Sequence, residues 1–227
     1  GAEHILFGGE SYSHEVISLA AYHEVWELAR SHGTGISFNT PRIVNEAAMK
    51  VFVQYLEAFR EFPPDAVNVH NIGMLSLVKE HTEIPVHADY SLIAYNSMTL
   101  AMLQELGVHS ATLSPELNFS QLAKVAAGSS MPLECIVHGR IELMVSEYCV
   151  TGSFLGDAAS GPCTRPCVKN RTRYALRDRK DEEFPLVMDQ FCHMHVLNAK
   201  VLSLLPHAMK PVPPDRIADS ALAAMVT

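Results

Sequence analysis

The sequence lacks the features that mark membrane and secreted proteins. No run of about 18 or more apolar residues occurs, so no membrane-spanning helix is predicted. No basic segment followed by an apolar stretch opens the chain, as a secretory leader would require. These absences predict a cytoplasmic protein. Its composition, 48% hydrophobic and 19% charged, suffices for one sizeable core.

Several catalytic and nucleotide-binding signatures are also missing. Gly8 and Gly9 follow a predicted strand, but without the spacing of a dinucleotide-binding fingerprint, and there is no Walker A loop. There is no G-x-S-x-G nucleophile elbow and no H-E-x-x-H zinc motif. A hydrolase hypothesis therefore has no recognised nucleophile or metal-ligand spacing to support it.

Positive charge is scarce overall but concentrated in one segment. The formal net charge of −8 argues against a protein that coats nucleic acid non-specifically. Residues 165–180, however, contain seven basic residues and a single acidic residue, Asp178. The basic residues are Arg165, Lys169, Arg171, Arg173, Arg177, Arg179 and Lys180. This segment either contacts an anionic partner, such as RNA, or pairs with nearby carboxylates in residues 181–183.

Four of the five cysteines fall in one loop-rich segment with the spacing C-x13-C-x3-C-x24-C. They are Cys149, Cys163, Cys167 and Cys192, and Cys135 lies outside the segment. Without a secretory signal, metal ligands are favoured over two disulfides. Structural zinc sites usually have two short pairs, whereas here only one pair is short, so the spacing modestly favours an iron–sulfur cluster over zinc. His193 and His195 beside Cys192 are either ligands, donors to sulfur, or surface residues.

The rest of the chain alternates short apolar runs with amphipathic helical patterns. Six βα units follow one another at intervals of roughly 20 to 30 residues, which predicts an α/β fold with a parallel sheet. Ser13 and Asn45 are predicted helix caps. The regular spacing favours a (β/α) barrel of the TIM type, in which eight units take about 250 residues.

Because only six units are evident, either the barrel is incomplete or a terminal strand is disguised in the sequence. The tail from Pro206 to Thr227 is predicted to be helical, with no closing strand. The predicted organisation is a barrel portion at residues 1–148, a four-cysteine segment at 149–192, and a helical remainder of the same domain at 193–227.

Polar residues stand where the predicted strands end, at the face that carries active sites in barrels. They are Asn39, His70, Asn71, His87, Asp89, Ser114, Glu116 and His138. From these we predict His87, Asp89, Glu116 and His138 as catalytic residues for acid–base work or substrate orientation. The alternative for each one singly is a structural hydrogen bond to a turn.

Several stretches resemble the U32 peptidase family, the collagenase-like proteases. They are GAEHILFGGE at the start, HADYSLIAYN at 87–96, LECIVHGRIELMVSEYC at 133–149, and GPCTRPC with YALRDRKDEEFPLVMDQFC beyond it. The resemblance covers residues 1–205 and implies a catalytic barrel. It departs at both ends. Family members begin with a strand and a helix before the segment that opens this sequence, and they continue into a further barrel strand that is not evident between Lys210 and Thr227. His193 stands where the RNA-modifying branch often has arginine.

The resemblance implies redox chemistry as well as peptidase chemistry. Relatives take part in oxygen-independent hydroxylation of RNA bases or of the ubiquinone ring, some with a 4Fe–4S cluster and with prephenate linked to the RNA reactions. By position, Cys149, Cys163, Cys167 and Cys192 would hold the cluster. The leading hypothesis is hydroxylation of RNA, favoured by the basic segment, or of a small anionic or aromatic substrate. The alternatives are a metal-dependent peptidase and a non-enzymatic scaffold, the latter as one half of a heterodimer; a homodimer is also compatible.

Overall fold

The computed structural model describes residues 2–12, 14–169, 174–204 and 223–226. The chain divides into two compact units. The first unit comprises Gly1–Gly9, Ile17–Val137 and Leu204–Thr227, and the second comprises Glu10–Val16 and His138–Ser203. None of the described helices is long and apolar enough to cross a membrane.

The first unit is built on six parallel strands joined by five helices. The strands are β1 (His4–Gly8), β2 (Gly35–Asn39), β3 (Ala66–Val69), β4 (Val86–Ala88), β5 (Ser110–Thr112) and β6 (Leu133–Gly139). The helices are α1 (Leu19–Ser31), α2 (Glu46–Ala58), α3 (Ile72–His81), α4 (Ser97–Glu105) and α5 (Phe119–Ala127), with a 3₁₀ turn at Tyr90–Leu92. Each strand pairs in parallel with the next along the chain. The result is a curled half-barrel sheet, which confirms the predicted mixed α/β class.

Asparagine caps begin four of the five helices. In α2, α3, α4 and α5 the Oδ1 atom of the preceding asparagine accepts a hydrogen bond from the backbone N–H three residues on, over 2.9–3.0 Å. These bonds satisfy donors that every helix start leaves without partners. The predicted cap Asn45 is confirmed. Helix α1 is capped by Ser18, and the predicted cap Ser13 lies outside the described residues.

The parallel sheet has one apolar face and one polar face. Register places Phe38 beside Val67 and Val67 beside Val86, so these side chains share one face. That face packs against the helices in a continuous hydrophobic core. Phe38 contacts Tyr22 and Phe59, with ring centroids 4.8 Å and 4.6 Å away. The opposite face carries the residues in between, and most of these are polar.

The second unit contains a four-stranded antiparallel sheet where the sequence predicted loops. Its strands are β7 (Glu142–Ser146), β8 (Tyr174–Arg177), β9 (Glu183–Met188) and β10 (Met194–Leu197), in the order β7-β10-β9-β8. Helices α6 (Val150–Leu155) and α7 (Pro166–Lys169) lie between β7 and β8. The glycines and prolines of residues 152–166 favoured the prediction of loops, but β9 pairs with β8 on one side and with β10 on the other, and β10 pairs with β7.

The predicted helical tail is wrong where the structure describes it. Beyond residue 193 lie β10, β11 (Leu202–Ser203) and β12 (Ala223–Val226). Strand β12 pairs with β6, so a strand does occur where none was expected. Alanine-rich sequence favours helix by propensity, but pairing with an existing strand outweighs so weak a preference. Residues 205–222 lie outside the described part, and the predicted boundaries at 148 and 192 stay a prediction.

Candidate functional site

Polar side chains bond to one another across the polar face of the half-barrel sheet. At its first edge, His4 Nε2 lies 2.8 Å from Ser37 Oγ, linking β1 to β2. Asn68 Nδ2 donates to Asn39 Oδ1 over 2.9 Å, linking β2 to β3. In complete barrels this face is normally filled by branched apolar side chains. Buried polar groups are stable only where they find hydrogen-bond partners, and these side chains find them in one another.

His87 is the centre of the next link, from β4 to β5. Its Nδ1 lies 2.7 Å from Ser110 Oγ and its Nε2 lies 2.8 Å from Thr112 Oγ1. Glu134 Oε2 on β6 is 3.5 Å from the same Nε2. Burial lowers the pKa of His87 to about 4, against the opposing effect of Asp89, and burial raises the pKa of Glu134. His87 is therefore a neutral hydrogen-bonding residue at physiological pH.

Asp89 anchors a charged group just beyond the end of β4. Its Oδ2 accepts from His70 Nδ1 over 3.0 Å and from the backbone N–H of Ser91 over 3.0 Å, and Arg42 Nη2 lies 3.9 Å away. Burial alone would raise the pKa of Asp89, but His70 and Arg42 hold it well below its usual range. The Arg42 guanidinium also stacks on the ring of Tyr90, 4.7 Å from its centroid. Asp89 is thus a permanent carboxylate that orients a histidine.

Two buried atoms on this face have no hydrogen-bond partner among the described residues. They are Asn68 Oδ1 and His70 Nε2. Asn68 is 2% exposed and His70 is 8% exposed, so neither atom is open to bulk water in this structure. A buried polar atom left without a partner costs about 1–3 kcal/mol, and folded proteins keep few of them, often at functional positions.

The four predicted catalytic residues are not all brought to this face. His87 and Asp89 lie on it, close enough for the Asp89 carboxylate to affect the pKa of His87. Glu116 is exposed, and the hydroxyl of Tyr95 donates to its carboxylate. His138 lies near the end of β6, within the second unit. Their catalytic roles stay a prediction.

The four clustered cysteines all belong to the second unit, and none forms a disulfide. Cys149 caps α6, Cys167 lies in α7, and Cys163 and Cys192 lie in exposed loops. Cys192 has a φ of 66° in the tight turn between β9 and β10. Segments far apart in sequence therefore meet in one small unit, as the predicted ligand set requires.

The surroundings of these sulfurs suit thiolates. Cys149 Sγ accepts from the backbone N–H of Gly152 over 3.2 Å, and Cys163 Sγ accepts from that of Arg165 over 3.4 Å. A Cβ atom added to Gly152 would lie 3.4 Å from Cys163 Sγ and 3.5 Å from Cys149 Sγ, so these two sulfurs flank one glycine. At Gly156 an added Cβ would come within 2.7 Å of Cys163 Sγ, which explains the need for glycine there.

The thiols also influence one another electrostatically. Burial and the nearby Cys149 thiol raise the pKa of Cys167. Burial raises the pKa of Cys192 as well, with Cys149 and Cys163 adding to it and Arg165 opposing. Like charges so placed need a cationic group to keep them all ionised. Across the described part of the chain, however, no three His, Cys, Asp or Glu side chains are arranged to hold a single metal ion.

A buried carboxylate–histidine network supports the turn that carries Cys192. Asp189 Oδ1 accepts from the backbone N–H of Phe191 over 2.9 Å and of His193 over 2.8 Å, and its Oδ2 accepts from His193 Nδ1 over 2.9 Å. His195 Nε2 reaches the same Oδ2 over 3.4 Å, and its Nδ1 lies 2.5 Å from Glu142 Oε2.

These contacts decide the charge of His195. Burial alone would lower the pKa of His195, but hydrogen bonds to Asp189 and Glu142 raise it to about 9. His195 is wholly buried and His193 nearly so, which excludes the surface alternative for both and leaves the other predicted roles untested.

Sequence reasoning missed several of these residues. Arg42 lies three residues beyond the end of β2, so a search restricted to strand ends did not select it. Glu134 lies inside β6, where its period-two position on the polar face was the available signal. Asp189 and Glu142 are 47 residues apart in the numbering, and only their shared contact with His195 reveals them.

The basic segment is only partly described. Arg177 pairs with Glu183 over 2.6 Å and lies 4.0 Å from Asp181, as the carboxylate-pairing interpretation expects. Arg165 adjoins the cysteines closely enough to lower the pKa of Cys192. Arg171 and Arg173 lie outside the described residues, and an anionic partner stays a prediction.

Comparison with known proteins supplies the family. The model of peptidase family U32 matches residues 1–210. This chain belongs to the U32 family. The match confirms the resemblance drawn from the motifs at 87–96 and 133–149.

Two curated U32 relatives share a name. The tRNA hydroxylation protein P of Escherichia coli (strain K12) is 27% identical over 210 residues, which cover 88% of this chain and 45% of the relative. The protein of the same name from Haemophilus influenzae is 26% identical over 177 residues, or 74% of this chain and 38% of the relative. The chain thus spans less than half the length of these curated relatives.

Solved structures give weaker likenesses. A U32 peptidase is 13% identical, with a TM-score of 0.48 over 60% of this chain and 61% of that one. A nitroalkane oxidase from Streptomyces ansochromogenes is 11% identical, with a TM-score of 0.36 over 60% of this chain and 51% of that one. Both scores are below 0.5, so neither likeness bears on the function.

Proposed function

We propose that this U32 chain takes part in the hydroxylation of a tRNA base, with a 4Fe–4S cluster on Cys149, Cys163, Cys167 and Cys192. The observation that carries the proposal is the convergence of four free, mutually interacting thiols on one unit. The names of both curated relatives support tRNA hydroxylation over the quinone alternative. The proposed setting is the cytoplasm, where thiols stay reduced.

The donor set favours a cluster over a single zinc ion. A tetrahedral zinc site needs all four sulfurs at about 2.3 Å from one point. Structural zinc sites usually have two short ligand pairs, and here only Cys163 and Cys167 form one. A larger inorganic core is ligated at separate corners and accepts wider spacing. Backbone N–H groups directed at Cys149 and Cys163 suit bound sulfur in either case.

Side chains outside the cluster also have proposed roles in the reaction. When bound, the cluster supplies one-electron transfer. His87 and Asp89, on the polar face of the sheet, orient substrate groups and move protons, and this face is proposed to belong to a TIM-type barrel. The basic residues from Arg165 to Lys180 attract the RNA backbone, with prephenate as the proposed co-substrate.

Metal analysis tests the cluster. Protein prepared without air is expected to be brown, with iron and sulfide in equal amounts and a broad absorbance near about 400 nm. Cys163→Ser and Cys192→Ser are expected to lose both elements. Cys135→Ala is the matched control, since Cys135 is buried outside the ligand set and its thiol has a pKa raised to about 11 by burial. Stoichiometric zinc in a colourless protein would overturn the cluster.

Modified nucleosides test the reaction. Cells lacking the protein are complemented with the wild type or with each cysteine variant, and their digested tRNA is examined by mass spectrometry. The wild type and Cys135→Ala are expected to restore a nucleoside heavier by one oxygen atom, and Cys163→Ser is not. Unchanged tRNA in all strains, together with gelatin cleavage that survives Cys163→Ser, would support the peptidase alternative instead.

A further inference from the structure

The end of strand β3 presents two hydrogen-bond acceptors that no described residue uses. Asn68 lies in β3 with its side chain on the polar face, and His70 is the first residue after that strand. Because only one residue separates them, one small molecule can contact both. Asn68 Oδ1 and His70 Nε2 are both buried and without partners there.

The neighbouring contacts fix which atoms remain available. Asn68 uses Nδ2 on Asn39, which leaves Oδ1 as a pure acceptor. His70 uses Nδ1 on the Asp89 carboxylate, so that nitrogen carries a proton, and in the neutral form of His70 the other nitrogen, Nε2, presents a lone pair. The orientation is stable because Ser91 N–H also holds the Asp89 oxygen.

Nearby hydroxyls do not serve these acceptors. Ser91 Oγ donates to the His70 carbonyl over 2.8 Å, and Thr40 Oγ1 accepts from the His70 N–H over 3.2 Å. Arg42 and Asp89 carry opposite charges, and their side chains lie 3.9 Å apart. A phosphate or carboxylate would face two lone pairs, whereas hydroxyl groups would satisfy both. The chemistry therefore selects a donor rather than an anion.

We propose that Asn68 Oδ1 and His70 Nε2 bind a small hydroxyl-bearing molecule, with Asp89 acting as the positioning residue for His70. One hydroxyl donates to each acceptor, so a molecule with two adjacent hydroxyls fits the pair. This site lies in the first unit and involves no cysteine. Binding at this site can therefore be tested separately from the proposed cluster and from tRNA hydroxylation.

Histidine NMR on the full chain tests the site without any activity assay. In protein labelled with ¹⁵N-histidine, His70 is assigned by the signals that His70→Gln removes. The expected tautomer has the proton on Nδ1, and Asp89→Asn is expected to produce a mixture of tautomers. A merely structural Asp89 would leave the tautomer unchanged, and that result would overturn its positioning role.

The ligand probe is methyl β-D-ribofuranoside, with its 2,3-di-O-methyl ether as the matched probe without adjacent hydroxyls. The diol is expected to shift the His70 Nε2 resonance to saturation, and the ether is not. His70→Gln and Asn68→Ala, each removing one acceptor, are expected to raise the dissociation constant about tenfold. His32→Gln is the control, since His32 is an exposed histidine at the end of α1.

Several outcomes would overturn the proposal. These are an Nε2 resonance that the diol does not shift, an ether that binds as tightly as the diol, or inorganic phosphate that shifts Nε2 in its place. If Asn68→Ala fails to fold, as circular dichroism would show, His70→Gln alone decides, and an unchanged dissociation constant in that variant contradicts the site.

Discussion

Two buried histidines show that the hydrogen-bonding partners of an imidazole, together with its burial, decide whether it is charged. His87 bonds to the hydroxyls of Ser110 and Thr112, and burial lowers its pKa to about 4. His195 is wholly buried but lies between the carboxylates of Asp189 and Glu142, which raise its pKa to about 9. Hydroxyls accept a neutral imidazole, whereas carboxylates stabilise the cation. The same residue type is therefore neutral in one unit and charged in the other.

The lowered pKa of His87 predicts a loss of stability in acid. Below pH 6.5 the unfolded chain protonates this histidine, while folded His87 resists until about pH 4. The free energy of unfolding therefore falls as pH drops across that interval, by up to about 3 kcal/mol, and the contribution is fully present above it. Urea denaturation at several pH values measures this change.

His87→Gln isolates that effect. The variant keeps a hydrogen-bonding side chain that does not titrate, so its stability is expected to depend less on pH between 6.5 and 4. The exposed His32→Gln serves as the control and should retain the wild-type dependence. Parallel curves for His87→Gln and the wild type would show that His87 does not resist protonation.

At the scale of elements, side-chain caps are the clearest link between sequence and structure. Asn45, Asn71, Asn96 and Asn118 each accept from the third residue of the helix that follows. Helix α5 has a full capping box, because the Gln121 side chain also accepts from the Asn118 backbone N–H over 2.9 Å. Such caps are readable directly from sequence.

Removing the side-chain cap of α5 is expected to lower the free energy of unfolding by a measurable amount. Asn118→Ala is expected to lower the free energy of unfolding by about 1 kcal/mol, since it leaves the backbone N–H of Gln121 in the first turn without its acceptor. Ser120→Ala, an exposed change in the same turn, is the control and should have little effect. Chemical denaturation measures both, and equal effects would mean that the cap contributes nothing special.

At the scale of the whole molecule, the proposed cluster and the proposed hydroxyl site belong to different units. The four proposed cluster ligands lie within residues 138–203, whereas Asn68 and His70 lie within residues 17–137. A group that binds only the folded state stabilises the part that holds it.

Cluster binding is therefore expected to slow amide hydrogen exchange most in the second unit. Mass spectrometry would compare anaerobic protein with and without iron, following peptides from β9, β10 and α6. Cys163→Ser should exchange like the iron-free protein under both conditions. Iron-dependent protection confined to residues 17–137 would contradict the assignment of the ligands to the second unit.

Elements with local signals were predictable, and those that depend on distant partners were not. The cap of α2 was predicted from Asn45, because a helix cap is determined by a few adjacent residues. Strands β8 and β9 were missed, since a charged hairpin between glycine- and proline-rich loops resembles an exposed loop. His87 and Asp89 were selected as candidates from their place after an apolar run.

The sequence by itself determined the family, the order of the helices and strands in the half-barrel, and the set of four cysteines. Each of these rests on residue types at short, fixed spacing. Only the tertiary structure decided that His70 contacts Asp89 and that Asp189 contacts two histidines. It also decided that Asn68 Oδ1 and His70 Nε2 have no hydrogen-bond partner among the described residues. The physical reason is that a charge or a hydrogen bond depends on the atoms within a few ångströms, and folding chooses those atoms from strands far apart along the chain.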